Sequence, residues 1–129
     1  MGLSRQFMLA AAVVGALVVS SVALASGSVV GTYSTTVTKP SELKGKWTLS
    51  FAKGDSYTVK LNGGAVARGK YSATATTITL IRETGSPCKG TGTYAWKRSG
   101  KTMSFTRRRE HASCQARAEI LGRRFTQVR

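Results

Sequence analysis

Residues 45–61 of this chain are GKWTLSFAKGDSYTVKL, and this stretch decides the fold. Apolar residues occupy alternate positions on both sides of a short polar segment, namely Trp47, Leu49, Phe51, Tyr57, Val59 and Leu61. A period of two predicts strands that bury one face, and the segment Lys53-Gly54-Asp55 predicts the tight turn of an antiparallel hairpin.

The same rhythm continues along the chain. Short segments rich in Thr, Val, Ile, Tyr and Trp recur about every ten residues, separated by turns such as Asn62-Gly63-Gly64. Residues 112–121 are predicted to form one short helix, and residues 123–128 a closing strand. We therefore expect an all-β fold, an antiparallel up-and-down β-barrel of about eight strands with one short helix near the C-terminus. A β-sandwich is the alternative.

The inward-facing residues of these strands are candidates for a packed core or for the lining of a ligand cavity. They are Trp47, Leu49, Phe51, Tyr57, Val59, Leu61, Tyr71, Ile78, Leu80, Tyr94, Trp96, Met103 and Phe105. An eight-stranded barrel is either just filled by its side chains or holds one small ligand. The pattern alone leaves both interiors open.

The first 25 residues have the pattern of a secretory signal peptide. Arg5 precedes the uncharged apolar stretch Phe7–Val19, and Ala23-Leu24-Ala25 supplies the small residues of a cleavage site. We expect cleavage after Ala25, a secreted or extracytoplasmic protein and no stable membrane insertion afterwards; a retained membrane anchor is the alternative. Residues 26–40 are predicted to form an N-terminal arm and residues 41–129 the barrel domain.

Two cysteines, Cys88 and Cys114, lie in the part predicted to be exported, and they can pair in only one way. Export predicts that they form a disulfide. Together with the single histidine, His111, they lack the spacing and the fourth ligand of a zinc site, so no metal is predicted.

Twenty Lys and Arg residues face five acids, which gives a net charge of +15. The densest basic run, Arg107-Arg108-Arg109, is a candidate anion-binding site for a phosphate, a carboxylate or an acidic protein face. The plainer interpretation is a solvated strand end. An anionic cell-surface polymer or protein is a candidate partner, and nucleic acid is not expected because the chain is predicted to be exported.

No catalytic constellation is visible in the sequence. The five acids, Glu42, Asp55, Glu83, Glu110 and Glu119, suggest no close pair, and nothing places a serine opposite His111. Arg117 is predicted to be structural, on the same helix face as Cys114. We therefore predict no enzyme activity, no catalytic residues and no cofactor.

Several motifs resemble a known family. Gly45-Lys46-Trp47, then Cys88, then Gly92-x-Tyr94-x-Trp96, then Cys114-x-x-Arg117 resemble, over roughly residues 31–129, a group of small secreted bacterial proteins with a lipocalin-like, or calycin, barrel. The resemblance implies a tryptophan at the closed end of the barrel under an arginine from the last strand, here Arg123 or Arg124. Calycins bind small apolar molecules, and some exported ones inhibit proteases.

These observations predict a secreted, disulfide-stapled β-barrel module, monomeric, that binds a small apolar or amphipathic ligand. The alternative is a cationic interaction protein that binds an anionic cell-surface component or another protein, for example as a protease inhibitor.

Overall fold

A computed structural model describes residues 28–128. These residues form a closed barrel of eight antiparallel strands, in which each strand pairs with the next along the chain and the last pairs with the first. The strands are β1 (Gly31–Val37), β2 (Gly45–Phe51), β3 (Ser56–Leu61), β4 (Gly64–Ala73), β5 (Thr77–Thr84), β6 (Gly92–Ser99), β7 (Thr102–Arg109) and β8 (Phe125–Gln127). The predicted up-and-down barrel is confirmed, and its architecture is compatible with a calycin-like fold.

The hairpin between β3 and β4 shows how the sequence fixes this topology. Asn62 and Gly63 both have positive φ, 53° and 90°, as a two-residue turn between twisted strands requires. The pairing then runs back along β3, from Leu61 opposite Gly64 to Ser56 opposite Lys70.

The segment predicted as an N-terminal arm contains a strand of the barrel, so that prediction is wrong for residues 31–37. β1 pairs with β2 along its whole length, and Tyr33 and Ser34 pair with β8. Tyr33 and Val37 are buried in the core. The alternation of apolar residues does not reveal this strand, because Thr35, which is not strongly apolar, lies between Tyr33 and Val37 on the same face. The predicted signal peptide, residues 1–25, lies outside the described residues.

The connection between β7 and β8 carries the helix that the sequence predicted within residues 112–121. A 3₁₀ turn, Ala112–Cys114, leads directly into helix α1, Gln115–Leu121. Ile120 and Leu121 on this helix are buried against the barrel core. No helix in the described part of the chain is long and apolar enough to cross a membrane.

Aromatic side chains fill the barrel interior. The Phe51 ring lies at the centre, with its centroid 5.2–6.3 Å from those of Tyr33, Tyr57, Tyr71 and Phe105. All of the predicted inward residues are buried except Val59 and Leu61, which pack partly buried against the core. The core also contains residues that the alternation did not identify, namely Val29, Tyr33, Val37, Ile120, Leu121 and Phe125.

Candidate functional site

One end of the barrel is covered, and we call it the capped end. β1, β3, β5 and β7 finish there, and helix α1 lies across it. The predicted disulfide between Cys88 and Cys114 is present and ties the β5–β6 loop to the start of α1. Such a bond indicates an oxidising environment. It also fixes the helix, which at seven residues is too short to be stable by itself.

An apolar cavity of about 90 Å³ lies between α1 and the packed core. Its wall is formed by core residues, by the disulfide and by the buried face of the helix. Apart from the aromatic residues, only three residues of the wall have polar side chains, namely Glu83, Ser86 and Arg117. The apolar and aromatic lining comprises Trp47, Leu49, Phe51, Tyr57, Val59, Ala67, Leu80, Pro87, Cys88, Cys114, Ala116, Ile120 and Leu121.

A buried ion pair borders this cavity. Arg117 donates two parallel hydrogen bonds to Glu110, from Nε to Oε2 at 2.9 Å and from Nη2 to Oε1 at 2.6 Å. The two side chains are only 7% and 3% exposed. This bidentate geometry is the strongest form of the arginine–carboxylate interaction, and it offsets the cost of removing both charges from water. Nη2 also donates to the carbonyl of Gly90, at 2.9 Å.

Glu83 is the second carboxylate of the network, with a side chain that is 5% exposed. It accepts hydrogen bonds from the Tyr57 hydroxyl, at 2.6 Å, and from the Ser86 hydroxyl. Its Oε1 lies 3.5 Å from Nη1 of Arg117, which is an ion-pair distance but too long for a good hydrogen bond. Nη1 is therefore a buried donor without a hydrogen-bond acceptor. Such a group costs about 1–3 kcal/mol.

The network shifts the protonation of its members. Burial acts to raise the pKa of Glu110, but the hydrogen bonds from Arg117 and Tyr94 outweigh it and lower that pKa below its ordinary value. Burial, together with hydrogen bonding to the carboxylates, raises the pKa of Tyr57 and of Tyr94 well above the ordinary value. The folded protein therefore favours a charged Glu110 and two neutral phenols, that of Tyr94 bonded to Glu110 and that of Tyr57 bonded to Glu83.

Two bulges turn the carboxylates inward. In β5, Arg82 has a positive φ of 55°, and the pairing with β4 shifts by one residue there. Inward residues lie at Ile78 and Leu80, so a regular strand would continue with Arg82; the bulge places Glu83 inside instead. A second shift follows Arg107, which pairs with Tyr94 while Arg109 pairs with Thr93. Glu110 then faces the interior opposite Gly92.

Gly92 is required by this arrangement. A Cβ at this position would lie 2.6 Å from Glu110 Oε2 and 2.7 Å from Arg117 Nη2, much closer than real Cβ contacts. The Gly92-x-Tyr94-x-Trp96 segment therefore contributes to the site in two ways. Gly92 leaves space for the ion pair, and the Tyr94 hydroxyl donates a hydrogen bond to Glu110.

Unbroken alternation through residues 82 and 108 would leave Glu83 and Glu110 outside the barrel, so the sequence does not predict that both contact Arg117. Arg117 lies on helix α1 as predicted, whereas Cys114 is the residue just before this helix, at the end of the 3₁₀ turn. One signal in the sequence could have indicated the network. Arg117 lies three residues after Cys114, which places it on the buried side of α1, and a buried cation needs carboxylate partners.

The candidate anion site does not come together as one cluster. Arg107 lies beside α1 in a groove with Gln115 and Arg123, whereas Arg108 lies on the outer face of the sheet with Lys97. All three arginines of the run are exposed. The bulge at Arg108 and the strand alternation point these side chains in different directions.

The arginine that the resemblance places over Trp47 is not seen among the described residues. Arg123 donates to the carbonyl of Lys39, at 2.6 Å, and Arg124 is exposed. The Trp47 Nε1 donates instead to the Leu43 carbonyl, at 2.7 Å. The aromatic ring that does carry an arginine is Tyr33, with Arg98 5.4 Å from its centroid.

The described residues contain no group of three or more His, Cys, Asp and Glu side chains placed to hold a metal ion. His111 is exposed, and its ring nitrogen Nδ1 lies 2.7 Å from the Ser113 hydroxyl. The capped end therefore offers an apolar cavity that is bordered by a buried network of one arginine and two carboxylates. Comparison with protein-family models, with curated proteins and with solved structures returns no match for this chain.

Proposed function

We propose that this protein is a secreted, lipocalin-like binding module that holds a small molecule in the cavity beneath helix α1. The observation that carries the proposal is the apolar cavity itself, at the one end of the barrel that the helix and the disulfide cover. Ligand sites in proteins are mostly apolar, with a few placed polar groups, and the wall with Glu83 and Arg117 has this composition.

The volume of the cavity limits the ligand. At about 90 Å³ it is smaller than the roughly 150 Å³ apolar cavity known to accept benzene, and far smaller than a drug-sized site. Pro87 and Ala116 line it and are exposed, so the cavity reaches the surface between the β5–β6 loop and the helix. We therefore expect a compact apolar molecule, or the apolar end of a longer one that leaves by this gap.

The cavity is lined by fewer of the predicted inward residues than the sequence allowed. Of the candidate cavity residues, six line the space, namely Trp47, Leu49, Phe51, Tyr57, Val59 and Leu80. The remaining candidates do not line it: Tyr71, Ile78, Tyr94, Trp96, Met103 and Phe105 are buried in the packed core, and Leu61 packs partly buried against it.

Methyl-resolved NMR of the oxidised protein tests the proposal. We expect xenon or propane, which are small enough for a space of about 90 Å³, to shift the methyl signals of Leu80, Ile120 and Leu121, which line the cavity, and not that of Ile78, which does not. The Ala67→Leu substitution fills the cavity from β4 and should abolish these shifts. Ala65→Leu, on an exposed position of the same strand, should leave them. Shifts that survive Ala67→Leu would show that the molecules bind elsewhere.

A second candidate function is binding of an anionic cell-surface polymer. Two of the five acids are buried against Arg117, which leaves the outer surface with few negative charges. On the outer face of β5–β7, Lys97 and Arg108 border a groove lined by hydroxyl-bearing and small residues, namely Thr76, Thr77, Ala95, Ser104 and Thr106. Cations beside hydroxyl groups suit the phosphate or carboxylate groups of such a polymer.

A charge-matched pair of variants tests this candidate with polyphosphate as the probe. Replacing Lys97 and Arg108 by Gln should weaken binding more than replacing the exposed Lys60 and Lys70 on β3 and β4. Equal losses would indicate only the general attraction of a cationic surface, which salt screens.

A further inference from the structure

Helix α1 does not cover the capped end evenly. It packs against β7, and β3 lies on the opposite side of the eight-stranded barrel. There, Val59 and Leu61 alternate with the outward-facing Lys60 and face inward, yet both are only partly buried. Inward side chains of a small closed barrel ordinarily fill its interior and are buried. The capped end is therefore open beside β3.

This opening is the mouth of the cavity. Three of the apolar residues that line the cavity are not buried, namely Val59 on β3, Pro87 in the β5–β6 loop and Ala116 on the helix. The gap between the loop and the helix therefore extends across the end of the barrel to β3.

From this mouth an apolar strip continues along the end of the barrel. Trp47, which lines the cavity, pairs with Leu61 across β2 and β3, and its indole nitrogen donates to the carbonyl of Leu43, at 2.7 Å. Leu43 is itself partly buried against the core. We call Leu43, Trp47, Val59 and Leu61 the apolar track, because they lead from the cavity to the surface.

The cavity by itself admits only the end of a ligand. Its volume of about 90 Å³ corresponds to roughly three methylene groups, if each takes about the 30 Å³ of a water molecule in the liquid. The apolar cavity known to accept benzene is larger, roughly 150 Å³. A narrow, unbranched chain therefore fits best, and the apolar track can cover its following carbons.

The charges beside the track favour one kind of head group. Lys44, Lys46 and Lys60 are exposed sequence neighbours of track residues, and Glu42 is the one acid among those neighbours. This part of the surface is therefore net positive, and it attracts a carboxylate or a phosphate group at the end of the chain.

We infer that the cavity and the apolar track together bind a monomeric amphiphile with one unbranched chain. The methyl end of the chain occupies the cavity, and the anionic head group lies in solvent beside the lysines. This inference rests on the proposed function of the cavity, and it adds the chemical class of the ligand, its orientation and its path to the surface.

Decanoate, used below its micelle-forming concentration, is the first probe. We expect it to shift the methyl signals of Leu43 and Leu61 together with that of Leu80, which lines the cavity, and not that of Ile78. From hexanoate to decanoate the affinity should rise about two- to fourfold per methylene group, because each one leaves water for apolar surface.

Brominated chains test the orientation. Bromine quenches tryptophan fluorescence at short range; Trp47 lines the cavity, and Trp96 does not. We expect 10-bromodecanoate, with bromine at the buried end, to quench more strongly than 2-bromodecanoate, with bromine beside the head group. Equal quenching by the two would overturn the orientation.

A pair of variants and a second head group complete the test. Leu61→Asn should weaken decanoate binding about tenfold and leave the xenon shifts unchanged, which also shows that the variant is folded. Val128→Asn, at an exposed apolar residue beside Thr32 at the other end of the barrel, should change neither. Decyltrimethylammonium should bind more weakly than decanoate at low salt, and equal binding would overturn the anionic head group.

Failure of this inference and failure of the proposed function give different results. If xenon or propane enters the cavity but decanoate leaves Leu43 and Leu61 unshifted, the inference is wrong and the proposed function stands. If xenon, propane and decanoate all fail to shift the signal of Leu80, the proposed function is wrong, and this inference with it.

Discussion

At the scale of single residues, Arg82 determines which side chain of β5 enters the barrel. Its positive φ of 55° forms the bulge that turns Glu83 inward. A side chain with a branched Cβ adopts this conformation poorly, whereas glycine adopts it without strain. We expect Arg82→Val to lower the free energy of unfolding by about 1–3 kcal/mol, and Arg82→Gly to change it by less than about 1 kcal/mol.

Urea denaturation measures both changes. Lys60→Val is the control, because Lys60 is an exposed residue of a strand with negative φ and should tolerate a β-branched side chain. Equal stability of the valine and glycine variants at position 82 would show that the bulge does not depend on this residue.

Glu110 makes the folding stability of the protein depend on pH in the acid range. Because its folded-state pKa is lowered by Arg117 and Tyr94, its contribution is present above the ordinary glutamate value of 4.5 and is lost as the pH falls through the lower folded value. We expect Tm to be nearly constant from about pH 7 to pH 5 and to fall below that. Glu110→Gln breaks a buried ion pair, so at pH 7 it should lower the free energy of unfolding by about 3 kcal/mol or more, and with it the Tm.

The same variant should show a smaller fall of Tm below pH 4.5, since it has no carboxylate to protonate at this position. Thermal melts monitored by circular dichroism at several pH values provide the comparison. A parallel fall in both proteins would assign the acid sensitivity to other groups.

At the scale of elements, the disulfide keeps α1 on the capped end. Cys88 and Cys114 are 26 residues apart, and a crosslink of this span contributes about 3–4 kcal/mol in the chain-entropy model. We expect the Cys88→Ser, Cys114→Ser double variant to lose that much stability, and its Tm to fall by roughly 15 °C. Reduction of the unaltered protein should produce the same loss, and equal melting of oxidised and reduced protein would contradict the assignment.

The elements also show what the sequence could and could not predict. Strands β2 to β7 follow from alternation and from turns such as Asn62-Gly63, because these signals are local. The sequence does not predict β1, because Thr35 interrupts its apolar face and because its partner β8 lies at the opposite end of the barrel sequence, as the pairing of Tyr33 with Gln127 shows. The buried network was missed for a similar reason, since a bulge at Arg82 without glycine leaves no local mark.

At the scale of the whole molecule, the four tyrosines report on the integrity of the barrel. All four, Tyr33, Tyr57, Tyr71 and Tyr94, are buried, and burial raises the pKa of each above its ordinary value of 10.0. Stability from these groups is therefore present below pH 10 and is lost as the pH rises through the folded-state values.

We expect phenolate absorbance to stay low through pH 10 and then to rise in one cooperative step that coincides with the loss of secondary structure. Absorbance and circular dichroism recorded on the same samples provide the test. A gradual titration centred near 10.0 in a protein that is still folded would show that the hydroxyls are open to solvent.

The central claim is that the capped cavity binds a compact apolar molecule, or the apolar end of a longer one. The most direct measurement is gas chromatography with mass spectrometry of solvent extracts from two proteins produced in the natural host, the unaltered chain and its cavity-filling Ala67→Leu variant. We predict one compound with a compact apolar part, near one equivalent, in the extract of the unaltered protein and its absence from that of the variant. Identical extracts from the two proteins would contradict the claim.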